Sequence, residues 1–269
     1  MNLNSPMNGK VARESRERTR ARVKRTFDSF EPDNVFNWGL DLRRNQLYLN
    51  GVDRGYEIGP EGAEPGVDFV MATNFTKGLN LCQMVNPGKP VLVHMSTCGG
   101  DWNFGMHIYD AIKAATSPVT IVNYTHARSM SSIILQAADW RVMMPNSHFM
   151  FHDGQYQGGG TVKEARSDFK FYDEVGGKTM LRIYAEQMKR KGEFAGKSFE
   201  EIEGWLRDQM DKHENVYKTA EETVSLGLAD EIFQGWNSYL DMRTHHPKIP
   251  LNARPKRRAT KKSSTRSRR

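Results

Sequence analysis

Apolar positions along this chain alternate between two rhythms. Residues 46–50 (Gln-Leu-Tyr-Leu-Asn) repeat with a period of two and predict a strand, which a Gly/Pro-rich loop follows through Gly66. Over 68–85, Phe69, Val70, Leu79, Leu81 and Met84 predict a helix. A short β-like run, Val91 to Met95, then ends in a turn from Ser96 to Gly100. Beyond it Met106, Ile108, Tyr109 and Ile112 mark an amphipathic helix. The unit repeats in outline as a strand over 119–123, a turn over 124–128 and a helix through Met130, Ile133, Leu135 and Ala138. Strands over 141–144 and 148–152 flank Pro145-Asn146-Ser147. A glycine cluster at 158–160 leads into a long helix from Thr161 to about Lys191, and helices near 198–213 and 219–226 precede a last strand over 230–233. Strands and helices in this alternation predict an α/β domain whose site lies on strand-to-helix turns.

Composition adds boundaries. At 269 residues and 38% hydrophobic, the chain can bury a large core, and its charge divides it into one domain over 31–250 between basic tails at 1–30 and 251–269. Residues 1–30 carry eight Lys/Arg against three acids, and 254–269 carry nine with none. Removing that +14 from the net +7 leaves the middle at −7, so any nucleic-acid reading rests on the tails alone. Tails of this composition cannot bury enough apolar surface to order themselves; they read as disordered, solvated arms or as contacts for a polyanion or acidic partner. No run of about 18 apolar residues occurs, and no apolar segment follows the charged amino terminus, so neither a membrane span nor a signal peptide is expected. Two cysteines, Cys82 and Cys98, form neither a disulfide framework nor a zinc spacing and fit a reducing, cytoplasmic setting.

Three places carry candidate chemistry. Ser129 opens a helix after an apolar strand, where unpaired backbone N–H groups favour developing negative charge; a plain N-cap serine would look the same. Gly99-Gly100 lets the backbone approach a substrate, so the Gly100 and Met130 amides are candidates for an oxyanion hole, although Gly-Gly after a strand is also an ordinary turn. His152 ends an apolar strand before a flexible loop, where it can reach a serine hydroxyl as general base or merely cap the strand by a hydrogen bond. His148 stands four residues earlier, but no third ligand at a recognisable spacing joins the pair, and neither a metal nor an organic cofactor is expected.

Taken in order, these pieces resemble the proteolytic subunit of the Clp protease family over about residues 36–233. The most specific matches are Ser129-Met130, Pro145-Asn146-Ser147 with His152, and Thr219-Ala220-Glu221-Glu222 through Gly227-Leu228-Ala229-Asp230; Asn37 through Leu42 and Leu47 through Gly51 look like the family's entry into its first core strand. The resemblance implies a Clp protease/crotonase-like fold of repeated ββα units with a helical handle. It implies a serine endopeptidase working through an acyl-enzyme, with Ser129 as nucleophile, His152 as base, and Gly100 and Met130 as oxyanion donors. It also implies homo-oligomeric rings that stack through the handle at 161–191, peptide or unfolded-protein substrates, and a partner ATPase.

Departures from that pattern are informative. The turn reads Ser-Thr-Cys-Gly-Gly where the family usually has Ser-Pro-Gly-Gly, and Arg128 replaces a small residue before the nucleophile. Where the family's aspartate is expected stands Asn215, which can orient an imidazole but cannot stabilise its cation as a carboxylate does. Asp211, one helical turn earlier, is the alternative third member, and Asp208 a more distant one. Asn215 and Arg128 also motivate a rival reading, a weak or inactive ring subunit with a structural or regulatory role. A phage-type maturation peptidase needing no ATPase is a second rival. A crotonase-like acyl-CoA enzyme shares the oxyanion architecture but does not account for Ser129 and His152 in this order.

Overall fold

The Val/Ile-rich runs pair as the inner strands of a single sheet. A computed structural model describes residues 37–50, 66–156 and 158–241, together with 35, 246 and 247; both basic tails and the loop 51–65 lie outside the described residues. The sheet has eight strands: β1 (Leu40–Asp41), β2 (Gln46–Leu49), β3 (Val91–Thr97), β4 (Val119–Arg128), β5 (Trp140–Met143), β6 (His148–Phe151), β7 (Val216–Thr219) and β8 (Glu231–Ile232). Its main path runs β1-β2-β3-β4-β5-β8. Pairings are parallel except β1 with β2 and β6 with β7. Inner parallel strands are covered on both faces, and accordingly every residue from Val91 to Met95 is buried.

Helices α1 (Phe69–Val85), α2 (Trp102–Ala114), α3 (Met130–Leu135), α4 (Val162–Phe171), α5 (Lys178–Arg190), α6 (Phe199–Lys212) and α7 (Ala220–Ser225) pack around this sheet or project from it. Their starts are written locally. Asp68 accepts from the Met71 amide, and Thr161/Glu164, Ser198/Glu201 and Thr219/Glu222 form reciprocal capping boxes. The far end of the core is tied by a buried ion pair. Arg141 donates through Nε and Nη2 to the two carboxylate oxygens of Asp230, at 2.8 and 3.0 Å, and through Nη1 to Gln136 Oε1 at 2.6 Å. Burial alone would push the Asp230 carboxyl up, but the hydrogen bonds and charges of Arg141 and Lys191 outweigh it and hold the group below the usual carboxylate range.

Three expectations change. The turn expected at 124–128 is a continuation of β4: residues 120–123 pair with β5 and 126–128 with β6, across a register shift against β3 between Met95 and Thr97. Polar residues hide this strand because its outer positions, such as Thr125, face solvent. The segment between the two late helices contains β7, which pairs with β6. The single long helix from Thr161 to Lys191 is divided by a π-helical turn at Tyr172–Gly177, which holds Gly176 and Gly177 and is followed by a bond from Thr179 Oγ1 to the Val175 carbonyl. Its halves differ. α5 buries Met180, Leu181, Tyr184 and Met188, whereas α4 buries no residue.

Candidate active site

Where β4 meets α3, the backbone of Ser129 adopts φ 49° and ψ −126°. A non-glycine residue at positive φ costs about 1–3 kcal/mol and persists only where its surroundings over-determine it. Here they do. The Ser129 amide donates to the Met150 carbonyl at 3.0 Å, and the Ser129 carbonyl accepts from the Ser132 amide at 3.0 Å and from Ser132 Oγ at 2.5 Å. With its proton on that carbonyl, Ser132 Oγ accepts from the buried Tyr184 hydroxyl at 2.6 Å, which fastens the turn to α5. Ser131 Oγ accepts from the Arg128 amide at 2.9 Å and lies 2.7 Å from the carbonyls of both Thr97 and Arg128. Ser129 itself makes no capping hydrogen bond, so it is not an ordinary N-cap.

The Gly-Gly turn is fitted to this elbow. A Cβ on Gly99, whose φ is +104°, would lie 2.7 Å from the Arg128 carbonyl oxygen, 2.8 Å from Ser129 Cβ and 3.0 Å from the Met130 nitrogen. Gly100, at φ +142°, is bridged to Val67, whose amide donates to the Gly99 carbonyl at 2.5 Å and whose carbonyl accepts from the Asp101 amide at 2.9 Å. In that parallel bridge the N–H of Gly100 is directed away from Val67. Met130, buried, is the first residue of α3, where backbone N–H groups have no intrahelical acceptor, and its side chain lies over Gly105 of α2.

His152 stands one residue past β6, and its Nε2 is 2.8 Å from Ser129 Oγ. Phe151 registers with Val216 across the antiparallel β6–β7 pair, so the next position outward sets His152 opposite Asn215, whose side chain acts on the imidazole to raise its pKa. Burial holds the imidazole below its ordinary pKa; the Asn215 side chain and the charges of Asp153 and Glu214 oppose that effect without cancelling it. Asp211 and Asp208 are exposed on α6, and neither contributes to the His152 environment; Asp208 accepts from Lys212 at 2.7 Å. Thus Ser129, His152 and Asn215 come together beside Gly100 and Met130, and Asp211 does not join them.

Two neighbours of the imidazole, Asp153 and Glu214, were not legible as site residues. Their signal lies in β7: Val216, Tyr217 and Thr219 are β-formers, and extending that strand back by two residues brings Asn215 and Glu214 to the histidine. His148 is occupied differently from a metal ligand, since its Nε2 accepts from Arg128 Nε at 3.0 Å. Among the described residues, no group of three or more His, Cys, Asp or Glu is arranged to hold a metal ion. Nor is any helix there long and apolar enough to cross a membrane.

Comparison with known proteins agrees with the architecture. Residues 64–235 match the family model described as Clp protease. The chain is 30% identical over 172 residues to the ATP-dependent Clp protease proteolytic subunit 1 of Protochlamydia amoebophila (strain UWE25), covering 63% of this chain and 78% of that protein. It is 32% identical over 184 residues to the ATP-dependent Clp protease proteolytic subunit 2 of Prochlorococcus marinus (strain MIT 9312), covering 68% of this chain and 82% of the relative. With its mixed sheet, surrounding helices and family-model match, this chain has the Clp protease/crotonase-like α/β fold and belongs to the Clp protease family.

Proposed function

We propose that this chain is a serine endopeptidase that hydrolyses peptide bonds through an acyl-enzyme on Ser129. The observation that carries this reading is the 2.8 Å approach of His152 Nε2 to Ser129 Oγ at a strained strand-to-helix turn. His152, kept neutral by burial, accepts the serine proton as Oγ attacks the carbonyl carbon, and then returns it to the leaving amine as the C–N bond breaks. Water repeats the sequence on the ester and releases the acid. The N–H groups of Gly100 and Met130 hold the oxyanion, each donor worth about 10²–10³ in rate. Asn215 orients the ring through the nitrogen that Ser129 leaves unused, while Asp153 and Glu214 supply through space part of the negative charge that a triad aspartate would carry.

Assembly follows from the handle. α4 buries none of its residues and exposes Val162, Phe169 and Phe171, so a second copy is the natural cover, consistent with stacked homo-oligomeric rings. The relatives' names, proteolytic subunits of ATP-dependent proteases, support an ATPase partner that delivers unfolded protein. Cys82 and Cys98, neither of them in a disulfide, fit a reducing cytoplasm, and the basic tails suit a polyanion or an acidic partner. A second reading, a weakly active ring subunit with a mainly structural role, is favoured by the asparagine opposite His152 and by Arg128 in place of a small residue before Ser129.

The two readings separate in one assay. Purified full-length protein should hydrolyse a quenched fluorescent peptide, and Ser129→Ala should abolish the signal. Assembled, folded protein that cleaves no faster than its Ser129→Ala variant belongs to the structural reading.

A further inference from the structure

Arg128 is the last residue of β4 and the immediate neighbour of Ser129. β4 pairs in parallel with β6, His126 opposite His148 and Arg128 opposite Met150, so with side chains alternating across the sheet these four residues and His152 share one face. That is the face on which a peptide must lie when its carbonyl meets Ser129 Oγ. The guanidinium leans along it, Nε donating to His148 Nε2 at 3.0 Å. To accept there, His148 must be neutral, and burial together with the adjacent Arg128 and His126 keeps its pKa below the ordinary imidazole value. The ring of His148 in turn rests 5.5 Å from that of His126 and 5.8 Å from that of Tyr217.

A comparison within the molecule gives this arrangement meaning. The other arginine of the inner sheet, Arg141, has its fork filled by both oxygens of Asp230 and by Gln136. Arg128 is half-buried, yet among the described residues its side chain pairs with a neutral histidine and with no carboxylate. Nε is used, and the two Nη groups are the part of the fork that a planar anion engages in bidentate fashion. A half-withdrawn cation beside a nucleophile, held by a neutral acceptor instead of a counter-charge, is built to receive its anion from outside.

Resting on the peptidase reading above, we propose that Arg128, braced by His148, is a specificity-determining residue that selects peptides with a carboxylate within about two residues of the scissile bond. Consecutive Cα atoms are about 3.8 Å apart and an extended peptide advances about 3.3 Å per residue, so an arginine next to the nucleophile spans that range and no further. The carboxylate can come from an aspartate or glutamate side chain or from the end of the peptide, and one substrate panel distinguishes these sources.

The panel consists of quenched fluorescent peptides identical except for Glu, Ala or Lys at each position flanking the bond, each made with a free and an amidated carboxy terminus. Full-length protein should favour Glu over Ala at one flanking position by about tenfold in kcat/KM and disfavour Lys, since a hydrogen bond to a charged group discriminates on that scale. Dependence on amidation instead of on Glu assigns the site to the terminal carboxylate. In Arg128→Gln the Glu-to-Ala ratio should fall to near one, and Arg128→Lys should keep part of it. A wild-type profile that is flat or prefers Lys overturns the proposal even if neither variant folds, as does a Glu preference that survives Arg128→Gln. Absence of cleavage of every peptide, with no fluorophosphonate adduct on Ser129, would instead retire the underlying peptidase reading.

Discussion

The two halves of the site are held with unequal firmness. Ser129 sits between the inner strand β4 and the fully buried α3, with its own amide and carbonyl engaged and the hydroxyls of Ser131, Ser132 and Tyr184 closing round the turn. His152 stands on the outer ribbon β6–β7, half-buried, with an exposed Asn215 as its partner and the exposed residues 153–156 following. The proposed nucleophile is therefore positioned by the core and the proposed base by an edge. A strained elbow needs a rigid frame, whereas an imidazole that must carry a proton between two oxygens or nitrogens benefits from some freedom. The geometry also divides the consequences of mutation, with packing errors costly on the first side and electrostatic errors on the second.

The largest loss short of deleting the nucleophile should come from the base: His152→Ala should lower peptide hydrolysis by about two to four orders of magnitude, measured as kcat/KM, as expected for a general base. Near-normal turnover would remove His152 from the mechanism. On the core side, Gly99→Ala drives a methyl into the Arg128 carbonyl and the Met130 nitrogen, and should reduce activity about a hundredfold by displacing the oxyanion donors. Its control is Gly159→Ala in the edge half, where a Cβ meets nothing within 4 Å and no positive φ is required, so activity should be unchanged. Equal effects from the two alanines would erase the contrast.

A smaller and opposite effect should follow Asn215→Asp. The register that puts residue 215 across from His152 gives the new carboxylate direct access to the imidazolium, so kcat/KM should rise by about tenfold, a fraction of what this exchange is worth in a deeply buried triad. Asp211→Ala should leave activity intact, and a large loss there would move the third role to α6. The smallest effect is a displacement in pH. Because burial keeps His152 below its ordinary pKa, the acid limb of kcat/KM should lie below about pH 6.5, activity falling as the ring protonates. Asp153 and Glu214 raise that pKa, so the double variant Asp153→Asn/Glu214→Gln should shift the limb to still lower pH, and a shift upward would contradict their role.

Legibility followed the same division. Strands β3 and the first half of β4 were plain because both faces are buried and the sequence is continuously apolar, and the turns that follow them pointed to Gly99-Gly100 and Ser129. The edge was hidden. β7 has four residues, buries only Val216, and is defined by a partner some 67 residues away, a pairing that no local pattern encodes. For the same reason Asn215 is reached from the sequence only by resemblance, with Asp211 open beside it, whereas the β6–β7 register sets residue 215 across from His152. The second half of β4 reads as a turn because Thr125, His126 and Arg128 are polar and none of them is fully buried. Neither the positive φ of Ser129 nor the hydrogen bond from Arg128 to His148 has any signature in composition or period.

The central claim is that Ser129 Oγ is made nucleophilic by the imidazole lying 2.8 Å from it. Its most direct test is covalent: react the full-length protein with a fluorophosphonate probe at neutral pH and map the adduct by mass spectrometry, in wild type and in His152→Ala. The account predicts a single adduct on Ser129 whose rate of formation collapses in the variant. No adduct, an adduct on another serine, or one that forms equally fast without His152 would contradict it.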